Sequence, residues 1–170
     1  MLAFANGGDI WLFPLSGERK ARPFIQSRFS ETMPAFSPDG RWLAYVSDDS
    51  GRPEIYVQPF PGPGAKYSIS IDGGSEPVWA RNGRELFFRD GNRMMVVQVN
   101  TQPGFSAARP RLLFVESFAG NPSRVNYDVS PDGQHFVMLK PGEQEQAVSQ
   151  IMVIQNWFEE LKRRVPAGTK

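Results

Sequence analysis

Pro34-Ala-Phe-Ser-Pro-Asp-Gly-Arg-Trp-Leu-Ala-Tyr-Val46 is the stretch whose reading decides the fold. Its centre, Ser37-Pro-Asp-Gly40, is a tight turn in which each residue has a task. Proline presets φ, Asp accepts backbone N–H groups nearby, and Gly takes a positive φ. A short aromatic strand leads into the turn and a longer apolar strand leaves it. In Trp42-Leu-Ala-Tyr-Val46 both alternating faces are apolar, with Trp42, Ala44 and Val46 on one and Leu43 and Tyr45 on the other. A strand that is apolar on both faces belongs in a sheet covered on both sides.

The unit repeats. Pro77-Val-Trp-Ala-Arg-Asn-Gly-Arg-Glu-Leu-Phe-Phe-Arg89 and Tyr127-Asp-Val-Ser-Pro-Asp-Gly-Gln-His-Phe-Val-Met-Leu139 align with it. Gly40, Gly83 and Gly133 mark the same place, 43 and 50 residues apart, close to the length of one four-stranded propeller blade. Further strands are expected at Glu54 to Gln58, Arg93 to Val99 and Gln150 to Gln155, with outer strands at Lys66 to Ser70 and Arg111 to Val115. The N-terminus holds a partial copy, Leu2 to Ala5, Asp9 to Leu15 and Arg22 to Ile25, without an innermost strand. The expected fold is all-β. It is a partial propeller of about 3.5 four-stranded antiparallel blades over 1–155 (1–28, 29–71, 72–116, 117–155), followed by a helix and tail over 156–170. The helix rests on a capping box, Asn156 with Glu159, and on an apolar stripe through Trp157, Leu161 and Val165.

Composition narrows the function. The 170 residues carry a net charge of +1, so no nucleic-acid partner is expected. There is no cysteine, hence no disulfide framework and no Cys-based zinc site. No apolar run approaches the ~18 residues of a membrane span, so this chain is not expected to insert into a membrane. The start, Met1 to Asp9, lacks the features of a signal peptide and reads as the middle of a fold.

The Phe36-Ser-Pro-Asp-Gly40 turn and its copies at Val129 to Gly133 and Trp79 to Gly83 resemble the WD40-like repeat of TolB-type propellers. Asn156-Trp-Phe-Glu-Glu-Leu-Lys-Arg163 is similar to the segment that ends the C-terminal propeller of acidobacterial-type serine/threonine protein kinases. That resemblance implies a sensor or docking module outside the cytoplasm, beyond a kinase domain and a membrane span. Related propellers precede the catalytic domain of prolyl-oligopeptidase-type peptidases, a second parentage, against which the Asn156 to Glu159 ending argues.

Catalytic motifs are absent from the sequence. There is no kinase phosphate loop and no Gly-x-Ser-x-Gly elbow. The single histidine, His135, follows a turn, and Asp39 and Asp132 repeat in the same turn, which marks all three as structural or solvent-facing. Asp48-Asp49-Ser-Gly51 lacks calcium-loop spacing, and Pro59 to Gly64 reads as a rigid connector. No enzyme activity, cofactor or metal is expected. Binding is expected at the mouth of the central channel, on the loops that enter the innermost strands: Ser27 to Met33, Asp72 to Glu76 and Glu116 to Asn126. These carry Arg28, Glu31, Asp72, Glu76, Glu116 and Arg124, a mixed set suited to a protein or peptide. The open ends of an incomplete propeller predict self-association or docking of missing blades.

Overall fold

The computed structural model describes residues 1–117 and 124–139. The helix expected from Asn156, the strand expected at Gln150 to Gln155 and part of the longest expected loop lie outside these residues. The described residues form antiparallel sheets and contain no helix. None of their elements is a helix long and apolar enough to cross a membrane.

Four sheets follow one another along the chain. The first holds β1 (Leu2–Asn6), β2 (Asp9–Phe13) and β3 (Arg22–Ile25). The second holds β4 (Glu31–Phe36), β5 (Trp42–Ser47), β6 (Glu54–Pro59) and β7 (Tyr67–Ser68). The third runs from β8 (Ser75–Trp79) through β9 (Glu85–Asp90) to β10 (Arg93–Asn100), which pairs with both β11 (Ser106–Ala107) and β12 (Arg111–Val115). The fourth, as far as it is described, is β13 (Tyr127–Val129) with β14 (Phe136–Met138).

The repeated turn is built alike three times. Gly40, Gly83 and Gly133 sit at φ of 67°, 70° and 73°, where a Cβ would be strained. Their N–H groups donate to the carbonyls of Ser37, Ala80 and Ser130, each at 2.9 Å. Asp39, Asn82 and Asp132 accept the N–H two residues on, from Arg41, Arg84 and Gln134. The Ser37 hydroxyl accepts the Trp42 N–H at 3.0 Å, and Ser130 repeats this with the His135 N–H at 2.9 Å.

Alternation along the strand after each turn separates the cores. Leu43 and Tyr45 pack with Ile10 between the first and second sheets. Trp42, Ala44 and Val46 pack with Leu86, Phe88 and Val97 between the second and third. Phe87, Met94 and Val96 pack with Tyr127 and Val129 between the third and fourth. All six residues of β5 are buried, as the doubly apolar pattern requires.

Three expectations need correction. The outer strand of the second sheet shrinks to Tyr67–Ser68, because Ile69 and Ser70 turn into the sheet instead: the Ser70 hydroxyl accepts the Ile55 N–H at 2.7 Å. The third sheet gains β11, since eight-residue β10 outruns β12 and Val99 and Asn100 take Ala107 and Ser106 as partners. Among the described residues only one apolar face of β14 is covered, and Val137 is 75% exposed.

The inner strands β4 and β8 each carry a bulge that a proline explains. Met33 and Glu76 occupy equivalent places just before Pro34 and Pro77, at φ of 51° and 59°. Register shifts there, between Thr32 and Ala35 and between Ser75 and Val78. Proline has no N–H for the ladder, so the pairing breaks and the extra residue is absorbed locally.

Candidate functional site

Antiparallel connections alternate between the two ends of a sheet. The loops entering β4, β8 and β13 therefore share one rim with the β5–β6 loop and the β9–β10 turn. The inner strands lie side by side: the Trp79 indole N–H donates to the Ala35 carbonyl at 3.0 Å, joining β8 to β4. The Asn126 N–H donates to Glu76 Oε2 at 2.7 Å and the Tyr127 hydroxyl to the Glu76 carbonyl at 2.8 Å, joining the start of β13 to β8.

The six residues expected at the mouth divide into two groups. Arg28, Asp72, Glu116 and Arg124 are exposed. The Arg28 guanidinium lies 4.8 Å from the Phe29 ring centroid. The Glu116 N–H donates to the Asn92 carbonyl at 3.0 Å, and the Arg124 carbonyl accepts from Asn126 Nδ2 at 2.6 Å. Glu31 and Glu76 are interior, at 3% and 5% exposure, so their expected place on open loops is corrected. Both belong to strands, because the inner strands begin earlier than the turn chemistry indicated. Glu76 pairs with Arg89 of its own sheet at 3.3 Å, both nearly buried, and the bonds it accepts from Asn126 and Tyr127 tie the third sheet to the fourth. Glu31 accepts from the hydroxyls of Ser27 at 2.7 Å and Ser47 at 3.3 Å, and its N–H donates to the Gly8 carbonyl at 2.6 Å.

The structure adds residues to this rim that the loop argument missed. Arg52, on the β5–β6 loop, reaches Asp72 at 3.6 Å. Buried Glu54 holds it at 2.7 Å, and that hydrogen bond raises the Arg52 pKa further above its ordinary value. Asp90 and Arg93 form an ion pair across the β9–β10 turn. Beside them a cleft of about 160 Å³ is lined by Ile71, Asp72, Asp90, Arg93, Arg109 and Pro110, among others. The signal was available: in an antiparallel sheet the second connection returns to the end where the chain entered. The cleft is small and two-signed, and can hold a polar side chain or a chain terminus of a partner.

Elsewhere the candidate residues have local tasks. His135 is 79% exposed and stands 3.8 Å from Asp132. Asp48 accepts the Ser30 N–H at 2.8 Å, and Asp49 pairs with Lys66. Pro59 to Gly64 connects β6 to β7, anchored by Phe60, whose ring packs 5.5 Å from Phe24 and 4.8 Å from Phe36. Among the described residues no group of three or more His, Cys, Asp or Glu side chains could hold a metal ion.

No family model matches this chain. Over 66 residues it is 38% identical to tricorn protease homolog 1 of Streptomyces coelicolor, a stretch covering 39% of this chain and 6% of that protein. Among solved structures, TolB from Acinetobacter baumannii superposes with a TM-score of 0.58 at 20% identity, over 79% of this chain and 32% of TolB. A nidogen/laminin complex gives a TM-score of 0.55 at 20% identity, over 76% of this chain and 49% of the matched chain. At such identities the likeness is one of architecture: the chain shares the stacked antiparallel sheets of a TolB-like β-propeller.

Proposed function

We propose that this chain is a non-catalytic β-propeller module that binds a protein or peptide at the rim where the loops entering its inner strands converge. The observation that carries this reading is the cluster of exposed, oppositely charged groups on that rim: Asp72 with Arg52, and Asp90 with Arg93 beside the cleft. Groups of both signs, already held by buried anchors such as Glu54, present a polar surface without large ordering costs. The matched nidogen/laminin structure is of a protein complex, which is in keeping with this use of the fold. The likeness of Asn156 to Arg163 to the end of kinase-linked propellers supports a place as the sensing part of a larger receptor, such as a transmembrane serine/threonine kinase. A periplasmic or extracytoplasmic location follows from that resemblance.

The test is selection of binders from a displayed library of random peptides. Arg52→Ala and Arg93→Ala should each weaken the selected peptides about tenfold, the scale of a well-placed interfacial charge. Substitutions at Lys66 and Ser68, on the outer strand, should leave affinity unchanged. The opposite pattern sinks the rim assignment. The purified protein should show no ATPase, kinase, peptidase or esterase turnover. Turnover that tracks with His135 or with one serine overturns the non-catalytic reading.

A second reading, the accessory propeller of a serine peptidase, is favoured by the match to the tricorn protease homolog. The flanking coding sequence separates the two. A kinase domain and membrane span support the receptor, and a peptidase domain supports the accessory.

A further inference from the structure

A second cleft opens at the end of the stack opposite the rim. The Gly8 carbonyl, in the β1–β2 turn, accepts the Glu31 N–H at the rim, so the next connection, β2–β3, lies at the far end. The β6–β7 connection reaches the same end by the same alternation. Between them, in the seam of the first and second sheets, the cleft encloses about 500 Å³. Sites for small molecules span about 300–1,000 Å³.

Strand alternation places its walls. On β3, Arg22 stands opposite Leu12 of β2, which is 2% exposed and forms the floor. On β6, Gln58 stands opposite Leu43 and shares a face with Tyr56, and both of these belong to the seam core. Phe24 packs on that core too. Pro61 and Pro63, on the strap after β6, complete the lining. The strap is held in place. The Phe60 N–H donates to the Arg41 carbonyl at 2.8 Å, and the Phe60 ring meets Phe24 edge-on at 5.5 Å. Gly62 lies so near that a Cβ there would sit 3.6 Å from the Phe24 ring. A cleft already formed spares a ligand the cost of ordering it.

The two polar side chains of the lining are donors. The Tyr45 hydroxyl donates to Gln58 Oε1 at 3.2 Å, which turns Gln58 Nε2 away from it, and Nε2 has no acceptor among the described residues. The Arg22 guanidinium is exposed and likewise has no acceptor among them. No residue of the lining is acidic. A guanidinium with an amide N–H suits the two oxygens of a carboxylate. Leu12, Phe24 and the two prolines suit an apolar body, and Phe24 offers its ring to another ring.

We infer that this cleft binds a small carboxylic acid with a ring-sized apolar body. The carboxylate meets Arg22 and Gln58, and the ring lies between Phe24 and the prolines Pro61 and Pro63. The site is separate from the rim, and neither reading depends on the other.

NMR titration of the full chain with phenylbutyrate tests it. Binding should saturate with a Kd on the order of 1 mM or below, and should shift the amide signals of Arg22, Phe24, Gln58 and Gly62. Phenylbutanamide, with the same ring and no charge, should bind about tenfold more weakly, as should butyrate, which lacks the ring. Arg22→Gln should weaken phenylbutyrate about tenfold with the circular dichroism unchanged, since the side chain is exposed. Lys20→Gln removes the same charge from the same connection outside the lining, and should leave binding as it was, as should Arg93→Ala at the rim. Absence of saturable binding overturns the inference, and so does equal binding of the acid and its amide. An equal loss in Lys20→Gln and Arg22→Gln overturns it in favour of diffuse attraction to a basic loop. A peptide ending in a free Phe carboxylate that binds more than about tenfold tighter than phenylbutyrate overturns the small-molecule assignment in favour of a partner's C-terminus.

Discussion

Glu76 shows how burial changes what a residue does. It accepts from the Asn126 N–H, pairs with Arg89 and is 5% exposed. Glu76→Ala removes the nearly buried carboxylate that accepts from both Arg89 and Asn126, and should cost about 3 kcal/mol of stability in urea unfolding. Arg28→Ala, on the exposed part of the same rim, should change stability by less than about 0.5 kcal/mol. The turn carboxylates predict an acid limb. At Asp39, burial, which raises the pKa, is outweighed by hydrogen bonds from Ser37 and Arg41, so the carboxyl lies below its ordinary 3.8. At Asp132 the Ser130 hydroxyl is the main cause of a lowered pKa, helped by the Gln134 N–H. A carboxyl depressed in the folded state favours folding above its unfolded pKa, and that contribution is lost as pH falls through the folded value. Stability should therefore decline below about pH 4. Ser130→Ala should move the Asp132 titration upward when followed by carboxyl NMR.

Among elements, β9 and β12 belong to the same sheet and differ in what covers them. Leu86 in β9 is fully buried between two sheets, whereas Leu112 in β12 is 46% exposed at the outer edge. Leu86→Ala should cost about 3 kcal/mol, the usual range for a cavity in a packed core. Leu112→Ala should cost under about 1 kcal/mol, because little buried area is lost. Equilibrium unfolding of the two variants checks the contrast. Should Leu112→Ala prove as costly as Leu86→Ala, the outer strand is more deeply packed than its exposure indicates.

For the molecule as a whole, two buried tyrosines predict the alkaline limit. Burial is the main cause that raises the hydroxyl of Tyr45, between the first and second sheets, and of Tyr127, between the third and fourth, above the ordinary 10.0. A raised pKa means that the folded state holds its proton longer. The stability it contributes is complete below pH 10 and is lost as pH rises through the folded values. Alkaline unfolding followed by tyrosinate absorbance should begin above pH 10, with Tyr45→Phe shifting its onset upward. If both tyrosines titrate near 10 in the intact fold, the seams admit water.

The three turns, the doubly apolar strands that follow them and the all-β class were legible in the sequence. These are local properties: Ser37-Pro-Asp-Gly40 needs only its own backbone and side chains to form, and alternation in Trp42 to Val46 records two covered faces wherever they come from. The rim was half legible. The loops could be named, but Glu31 and Glu76 were read as open when Ser27, Ser47, Arg89 and Asn126 enclose them. Ser47, Arg89 and Asn126 come from other strands and loops, so no short stretch of sequence announces them. Arg52 reached the rim only through strand connectivity, and Leu2 and Val137 look as buried in sequence as Leu43 and Leu86. A hydrophobic pattern says that a face is to be covered. Only the stacking of whole sheets decided which faces are covered among the described residues, because that cover is supplied by residues tens of positions away.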